Sequence, residues 1–511
     1  MKIIHITVLL FLIVILASAL RIWNISTNPA GFFVDEASHG LEAHSILTTG
    51  KDTNGKQFPV IFKAVGDYRD PVMIYSTIPF IYLFGLNEFG VRITSAVYGI
   101  LAVIMIYFVG KEYCNERIGL WAALLLAISP WHVLFSRVGF QLISSVFWLL
   151  FTLYFLHKSF KQMYYYGLAA FGLLLSFFSY STTKMYIPFL VMFHLFTYTS
   201  QWRALLKKKY VIGVTIALFV ITILLLQPSI ENGDFFRRWN QVDKQYSIQE
   251  MFESYRNHFS PHFLFITGDA EFPNQQVKRH SIHGLGELYW FQLIFLVVSM
   301  ITFIFSKKER MKLLFWVLFL YIYPLGTIFT SIEPQASRSI LGVIPFTILT
   351  AYGIEEIVKH LKTSLLKKLY YASFLIVISI SIFLFSIALK NYPLSGADYW
   401  GWQYGYRESV KYALEHQHEY QHILITHRFN MGMELLTFYN KEYYCNTCDI
   451  IQNPISIDVT KKQLFILRAD DIKEAANLYP DLLFSQHTVI KLPNGASELF
   501  IGEFIEPNSS S

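Results

Sequence analysis

Residues 3–40 read IIHITVLLFLIVILASALRIWNISTNPAGFFVDEASHG: an apolar run from Ile3 to Leu20, a short polar stretch, then the carboxylate pair Asp35-Glu36 set among Phe33, Val34 and Ala37. A run of about 18 apolar residues is long enough to cross the hydrocarbon of a bilayer. It also exceeds the roughly 7–15-residue core of a secretory signal. Although Lys2 and Ala17-Ser18-Ala19 imitate a signal and its cleavage site, the run is therefore read as a retained first span. The two acids that follow then stand at the rim of a membrane.

Working outward, the rest of the chain repeats this texture. Of 511 residues, 54% are hydrophobic and 17% aromatic, while only 15% are Asp, Glu, Lys or Arg, against about a quarter in a soluble domain. Apolar runs near the length of a membrane span fall at about 3–22, 91–110, 118–135, 142–157, 164–180, 185–200, 211–228, 287–305, 313–331, 339–357 and 369–390. The fold class is thus mainly α, a polytopic membrane helix bundle of about eleven spans. Residues 72–86 are apolar too, but Pro79 and Gly85 interrupt a short run, which predicts an interfacial or re-entrant helix.

The formal charge of +6 comes from short basic clusters between the apolar runs, such as Lys207-Lys208-Lys209 and Lys307-Lys308. That placement anchors loops and argues against a groove for nucleic acid. With the amino terminus in the cytoplasm, every inner loop is basic: Lys111 and Arg117; Lys158 and Lys161; Arg203 with the lysine triplet; Lys307, Lys308, Arg310 and Lys312; Lys359, Lys362, Lys367 and Lys368. The expectation is a multi-pass plasma-membrane protein, residues 1–390 forming the membrane unit. Two large outer loops cover 23–90 and 229–286, and residues 391–511 form a small extracytoplasmic α/β domain. In that last part, strand-like pieces at Ile423 to Thr426, Leu464 to Leu467 and Leu499 to Phe504 alternate with helical ones near Glu408 to Glu415 and Ile472 to Leu478. Three cysteines exclude a disulfide scaffold; Cys445 and Cys448 are close together but have no partner pair for zinc, and a structural or incidental role is expected for them, with a redox or disulfide role as the alternative.

A transporter carries ionisable groups in mid-span, where its substrate crosses. Here the span interiors are nearly clean except for His194, and the charges collect at the outer ends: Asp35, Glu36, Asp67, Asp70, Arg92, Arg137, Lys184, Arg279, His280 and Arg338. Such a distribution suits chemistry at one interface. Asp35 and Glu36 could simply complement a helix dipole, but a second acidic patch, Gly66-Asp67-Tyr68-Arg69-Asp70-Pro71, lies in the same loop. Two acidic clusters fit a base plus a positioning or metal-binding group. Arg92 opens a span, where an interface anchor and a site residue look alike. His132 and His194 are read as structural.

These stretches carry a resemblance. Val34-Asp35-Glu36-Ala37, the turn from Gly50 to Phe58, Gly66-Asp67-Tyr68 with Pro71, and Phe84 to Glu88 with Val91-Arg92 resemble the first outer loop of glycosyltransferase family 39. That family includes protein O-mannosyltransferases and the aminoarabinose transferases of lipid A. The likeness continues through Ser129-Pro130-Trp131-His132, Ser136-Arg137, Gly268-Asp269, Arg279-His280-Ser281, Gly286-Glu287-Leu288-Tyr289, Glu333-Pro334 and Arg338-Ser339. It covers about the first 390 residues in order. The resemblance implies a C-type membrane glycosyltransferase fold and inverting transfer of a sugar from a polyprenyl-phosphate carrier to a lipid, glycan or protein acceptor on the extracytoplasmic side.

In that scheme Asp35 matches the family's acidic position and serves as general base, with Glu36 orienting it or capping a helix. Asp67, Tyr68, Arg69, Asp70, Arg92, Arg137, Lys184, Arg279, His280 and Arg338 are the candidate substrate-binding residues, because cations should surround a departing phosphate. Some relatives place an acid and then Lys before the proline of the second patch, whereas this chain has Arg69-Asp70-Pro71. The second acidic role is therefore open between Asp67 and Asp70. A divalent metal is likewise open, with Asp67, Asp70 and His280 as its candidate ligands. A flippase of a lipid-linked sugar and a lipid-diphosphate-dependent glycan polymerase or ligase are the rival functions.

Overall fold

The computed structural model describes residues 3–64, 67–231, 246–275, 278–394, 401–429, 432–440, 445 and 447–507. Lys2, Gly66 and residues 232–245 of the second large outer loop lie outside that set.

Helix α1 (Ile3–Ile22) is followed by α2 (Val34–Thr49), a two-stranded antiparallel hairpin of β1 (Phe62–Ala64) and β2 (Asp67–Arg69), α3 (Pro71–Phe84), α4 (Glu88–Tyr113) and α5 (Glu116–Ile128). Side chains set these boundaries. Asn87 caps α4 by accepting from the Gly90 amide, and Asn115 caps α5 by accepting from the amides of Arg117 and Ile118. The turn between them brings α4 and α5 so close that a Cβ on Gly119 would lie 2.5 Å from the Tyr107 carbonyl oxygen. At 14 residues, α3 is about 21 Å long, too short for a hydrocarbon layer of about 30 Å. Its carboxy-terminal end leaves Tyr82 75% exposed, and the broken run at 72–86 is thus a short apolar helix of the same class as Tyr165–Phe177.

Each of the eleven expected spans has a helical counterpart. Among the described residues, seven helices are long and apolar enough to cross a membrane: His5–Ile22, Glu88–Tyr113, Leu142–Ser159, Lys209–Gln227, Lys307–Ile328, Ile340–His360 and Ser364–Asn391. Tyr165–Phe177 and Trp290–Phe305 are shorter apolar helices. The other two expected spans are interrupted: 118–135 breaks at Ser129-Pro130, and 185–200 contains Pro188 and breaks at Tyr198. Proline cannot supply the amide that a continuous helix needs. The outward faces carry large apolar side chains such as Ile216, Phe219 and Phe383, as lipid-facing surfaces require. The chain is an integral membrane protein.

After the last span comes a five-stranded mixed sheet in the order β4-β3-β5-β7-β6, with β3 (His422–Ile425), β4 (Cys448–Ile450), β5 (Gln463–Leu467), β6 (Leu483–Lys491) and β7 (Ser497–Ile505). β3 pairs in parallel with β4 and β5, and the β5–β7 and β6–β7 pairs are antiparallel. Helices Tyr406–His416 and Ala469–Leu478 stand where the sequence places helical segments, and a third, Gly432–Asn440, connects β3 to β4. Cys445 and Cys448 are joined by a disulfide, the alternative to the structural or incidental role expected of the pair. The core of this sheet is continuous with the first outer loop: Phe32, Leu41 and Ile46 pack in one cluster with Val410, Leu435, Phe438 and Leu464. The outer loop and the terminal unit thus bury each other's apolar faces, which fixes α2 from both sides.

Candidate active site

The first turn of α2 carries both acids of the pair, and the structure gives them opposite surroundings. Glu36 is fully buried. Its carboxylate accepts from Arg92 at 2.8 and 2.9 Å, from the Gly139 amide at 2.7 Å and from the Phe33 amide at 3.1 Å. Arg92 is equally buried and gives its remaining donors to the carbonyls of Ile25, Pro29 and Gly31. All five guanidinium hydrogens are thereby used within the protein. This bidentate pair joins α2, α4 and the loop before α2, and it leaves Arg92 no donor for a phosphate. The expected roles of Arg92 in substrate binding and of Glu36 in catalysis are corrected to that of a buried clamp.

Asp35, one residue earlier, points outward with its side chain 46% exposed. Arg69 reaches it from β2, Nη2 donating to Oδ1 at 2.9 Å and Nη1 to the Asp35 carbonyl at 3.0 Å. Burial would raise the Asp35 carboxyl, but the charges of Arg69 and Arg279 and the hydrogen bond from Arg69 outweigh it and hold the group below the ordinary aspartate value. Its place in the first turn adds the favourable end of the helix dipole. The side chain is thus a carboxylate, accessible and oriented. His39, one helical turn on, supports Arg69. Burial, together with the Arg69 charge, pushes its imidazole down to about 3. The neutral ring donates Nδ1–H to the Gly139 carbonyl at 2.7 Å and turns Nε2 to Arg69 Nη1 at 3.4 Å.

The second patch continues the alternation of charge. Asp70 stands at the N-cap position of α3, after β2, and its side chain pairs with Lys184 at 2.5 Å, while its amide donates to Gln141. The hairpin therefore presents Arg69 to Asp35 and Asp70 to Lys184. Tyr68 occupies the opposite face of β2 from Arg69, as strand alternation dictates. Asp67 lies on the same strand, and its side chain is outside the described residues.

Arg279 lies over the Phe33 ring, 4.0 Å from its centroid, which brings its charge beside Asp35. His280 turns Nδ1 to Asp269 at 3.7 Å and rests against the rings of Phe135 and Phe140. Burial lowers its pKa, with the charges of Arg279 and Arg338 adding to the effect and Asp269 opposing it. Asp35, Arg69, Arg279, His280 and Arg338 are thus linked through an ion pair and electrostatic influence, and the adjoining Asp70 pairs with Lys184. Arg137 does not join them. It is buried, with its Nη atoms donating to the carbonyls of Leu20, Trp23 and Asn28, so its expected substrate contact is corrected to a tie on the end of α1. His194 is structural, accepting from Trp202 and meeting Tyr113, and His132 is buried against Arg21.

Three features went unread in the sequence. Arg21 donates to the carbonyls of Leu126 and Ala127 at the end of α5; a basic residue at the expected outer end of the first span, against the positive-inside tendency, was its signal. Gln403 reaches α2 from beyond the last span, and nothing local marks it. Third, Ser281 Oγ lies 2.7 Å from Asp269 Oδ1, 2.6 Å from Glu287 Oε1 and 2.9 Å from the Asp269 amide. One hydroxyl hydrogen cannot serve two carboxylates. Burial and the neighbouring Asp269 charge raise Glu287 well above its ordinary value, so Glu287 holds a proton and donates it to Ser281, which donates to Asp269. Among the described residues, no three His, Cys, Asp or Glu side chains converge where they could hold a metal ion. Of the expected ligands, Asp70 is paired with Lys184 and His280 faces Asp269.

Residues 69–226 match the family described as dolichyl-phosphate-mannose-protein mannosyltransferase. The chain superposes on ArnT from Cupriavidus metallidurans, solved with undecaprenyl phosphate bound, with a TM-score of 0.57 at 12% identity over 96% of this chain and 97% of that one. It also superposes on an oligosaccharyltransferase of Archaeoglobus fulgidus in its apo form, TM-score 0.55 at 13% identity, covering 86% of this chain and 64% of that one. The archaeal protein AglB in complex with an inhibitory peptide and a dolichol-phosphate gives a TM-score of 0.55 at 12% identity over 87% of this chain. No curated protein sequence matches. The fold is that of the C-type membrane glycosyltransferases.

Proposed function

We propose that this chain moves a sugar from a polyprenyl-phosphate carrier to a lipid, glycan or protein acceptor on the extracytoplasmic side of the membrane, with inversion at the sugar carbon. The observation that carries this is the placement of Asp35: a half-exposed carboxylate kept ionised by Arg69 and Arg279 at the outer end of a membrane bundle. The acceptor oxygen attacks the anomeric carbon as its proton passes to Asp35. The bond from that carbon to the carrier phosphate breaks, and the phosphate departs with the electron pair. Arg279, Lys184 and Arg338 supply the positive field that the growing charge requires, with His280 beside them as a neutral hydrogen-bonding ring. Arg suits the phosphate because its fork grips two oxygens at once. The match to a mannosyltransferase family over residues 69–226 and the folds solved with polyprenyl phosphates support a lipid-monophosphate donor.

In this orientation the amino terminus is cytoplasmic and the terminal sheet extracytoplasmic. The experiment is a reconstituted assay with labelled sugars on undecaprenyl phosphate or undecaprenyl diphosphate and an extract of surface lipids and glycans as acceptor. Covalent transfer from the monophosphate supports the proposal. Movement of donor across the vesicle without transfer points to a flippase, and use of the diphosphate alone points to a polymerase or ligase.

A further inference from the structure

Helix α2 opens without a side-chain cap of its own. Phe33 stands at the N-cap position, where an oxygen-bearing side chain would ordinarily accept from the first-turn amides. The Phe33 amide goes to Glu36, but the Val34 amide goes 369 residues along the chain, to Gln403 Oε1 at 2.7 Å. Gln403 is 2% exposed and holds a backbone φ of 54°, in the left-handed region that long side chains seldom adopt. Its neighbour is pressed into the same loop: a Cβ on Gly31, itself at φ +93°, would lie 2.3 Å from the Trp402 carbonyl oxygen.

From there a closed circuit runs around Asp35. The Trp402 ring stacks on Phe140 at 6.0 Å, and its Nε1–H donates to the Tyr392 hydroxyl at 3.0 Å. Tyr392 in turn donates to the Arg279 carbonyl at 3.1 Å. Phe140 meets Phe33 edge-on at 5.9 Å, and Arg279 lies over that same Phe33 ring. The base and a phosphate-facing cation are therefore held by one set of residues from beyond the last span.

We infer that Gln403 is a positioning residue, which caps the helix carrying Asp35 and, with Trp402 and Tyr392, sets the spacing between Asp35 and Arg279. The terminal unit then completes the site. As regards turnover this rests on the proposed transfer function; the cap itself does not. A satisfied first-turn amide keeps the helix end ordered, and an ordered helix end keeps its dipole on Asp35.

The test compares full-length protein with Gln403→Leu, which removes the acceptor, and Gln403→Glu, which keeps one. Hydrogen exchange is followed by mass spectrometry in the peptide covering residues 33–41, and kcat and KM are measured with the donor found active in the transfer assay. For Gln403→Leu, exchange in that peptide speeds up about tenfold, the magnitude of a lost cap, and kcat falls about tenfold while the donor KM stays within about threefold. Gln403→Glu restores the protection and most of kcat, with the acid limb of its pH profile moved upward by the added negative charge near Asp35. Unchanged exchange in Gln403→Leu overturns the inference, as does faster exchange with wild-type kcat, or a uniform loss of protection in every peptide. If the wild-type protein transfers no sugar, the proposed function fails while the exchange experiment still decides the cap.

Discussion

Arg69 grips Asp35 twice, through the carboxylate at 2.9 Å and through the backbone carbonyl of the same residue at 3.0 Å. The cation thereby fixes both the ionisation and the direction of the base. Removing it in Arg69→Gln leaves burial as the larger influence, so the Asp35 carboxyl rises. A base works only when deprotonated, and the acid limb of kcat/KM therefore moves to higher pH. The pH profile of the variant checks this. The same depression has a stability counterpart: it is present above the unfolded value of about 4 and is lost as the pH falls through the lower folded value.

The buried pair Glu36–Arg92 predicts a different phenotype. Arg92→Met strands a carboxylate that the Gly139 and Phe33 amides also rely on, at a cost of about 3–5 kcal/mol. The melting temperature should fall by several degrees, and Arg92→Lys should not rescue it, since one ammonium cannot replace five guanidinium donors. Arg279→Gln should behave the other way round, losing turnover while the melting temperature hardly moves. Thermal unfolding of the three variants beside their transfer rates separates the two classes.

Glu287 gives a stability prediction with the opposite sign to Asp35. Its folded pKa is raised, so its contribution is fully present below the unfolded value of about 4.3 and is lost as the pH rises toward the folded value. Gln in its place still donates to Ser281 and does not titrate. Glu287→Gln should flatten that decline, with a change at neutral pH within about 1 kcal/mol. Stability measured across the acid-to-neutral range checks it.

Orientation can be read by labelling. In a Cys114→Ala background, a membrane-impermeant maleimide should modify Lys56→Cys, in the exposed turn after α2, on intact cells. Lys208→Cys should react only after permeabilisation. Both positions are exposed, so protection reports the side of the membrane rather than burial.

The membrane bundle was legible because each span is decided by its own composition. The clean span interiors and the acids at 35 and 36 pointed to one face, and Arg69, Lys184 and Arg279 do meet Asp35 or Asp70 there. What the sequence hid was which charges the protein keeps for itself. Arg92 and Arg137 have the same look as Arg279, yet they are consumed by carbonyls at the ends of distant segments, a matter of three-dimensional closure. Gln403 was invisible for the same reason, because a cap supplied from the far end of the chain leaves no local pattern. The broken spans at Ser129 and Tyr198 show the limit of counting apolar residues when proline or a tight turn interrupts them.

Asp35→Asn is the most direct test of the account. The amide preserves shape and exposure but is unable to take the acceptor's proton. Transfer of labelled sugar from the polyprenyl phosphate should fall by about 10²–10⁴-fold, with the melting temperature and binding of undecaprenyl phosphate unchanged. Wild-type turnover in that variant would contradict the assignment of Asp35 as the base.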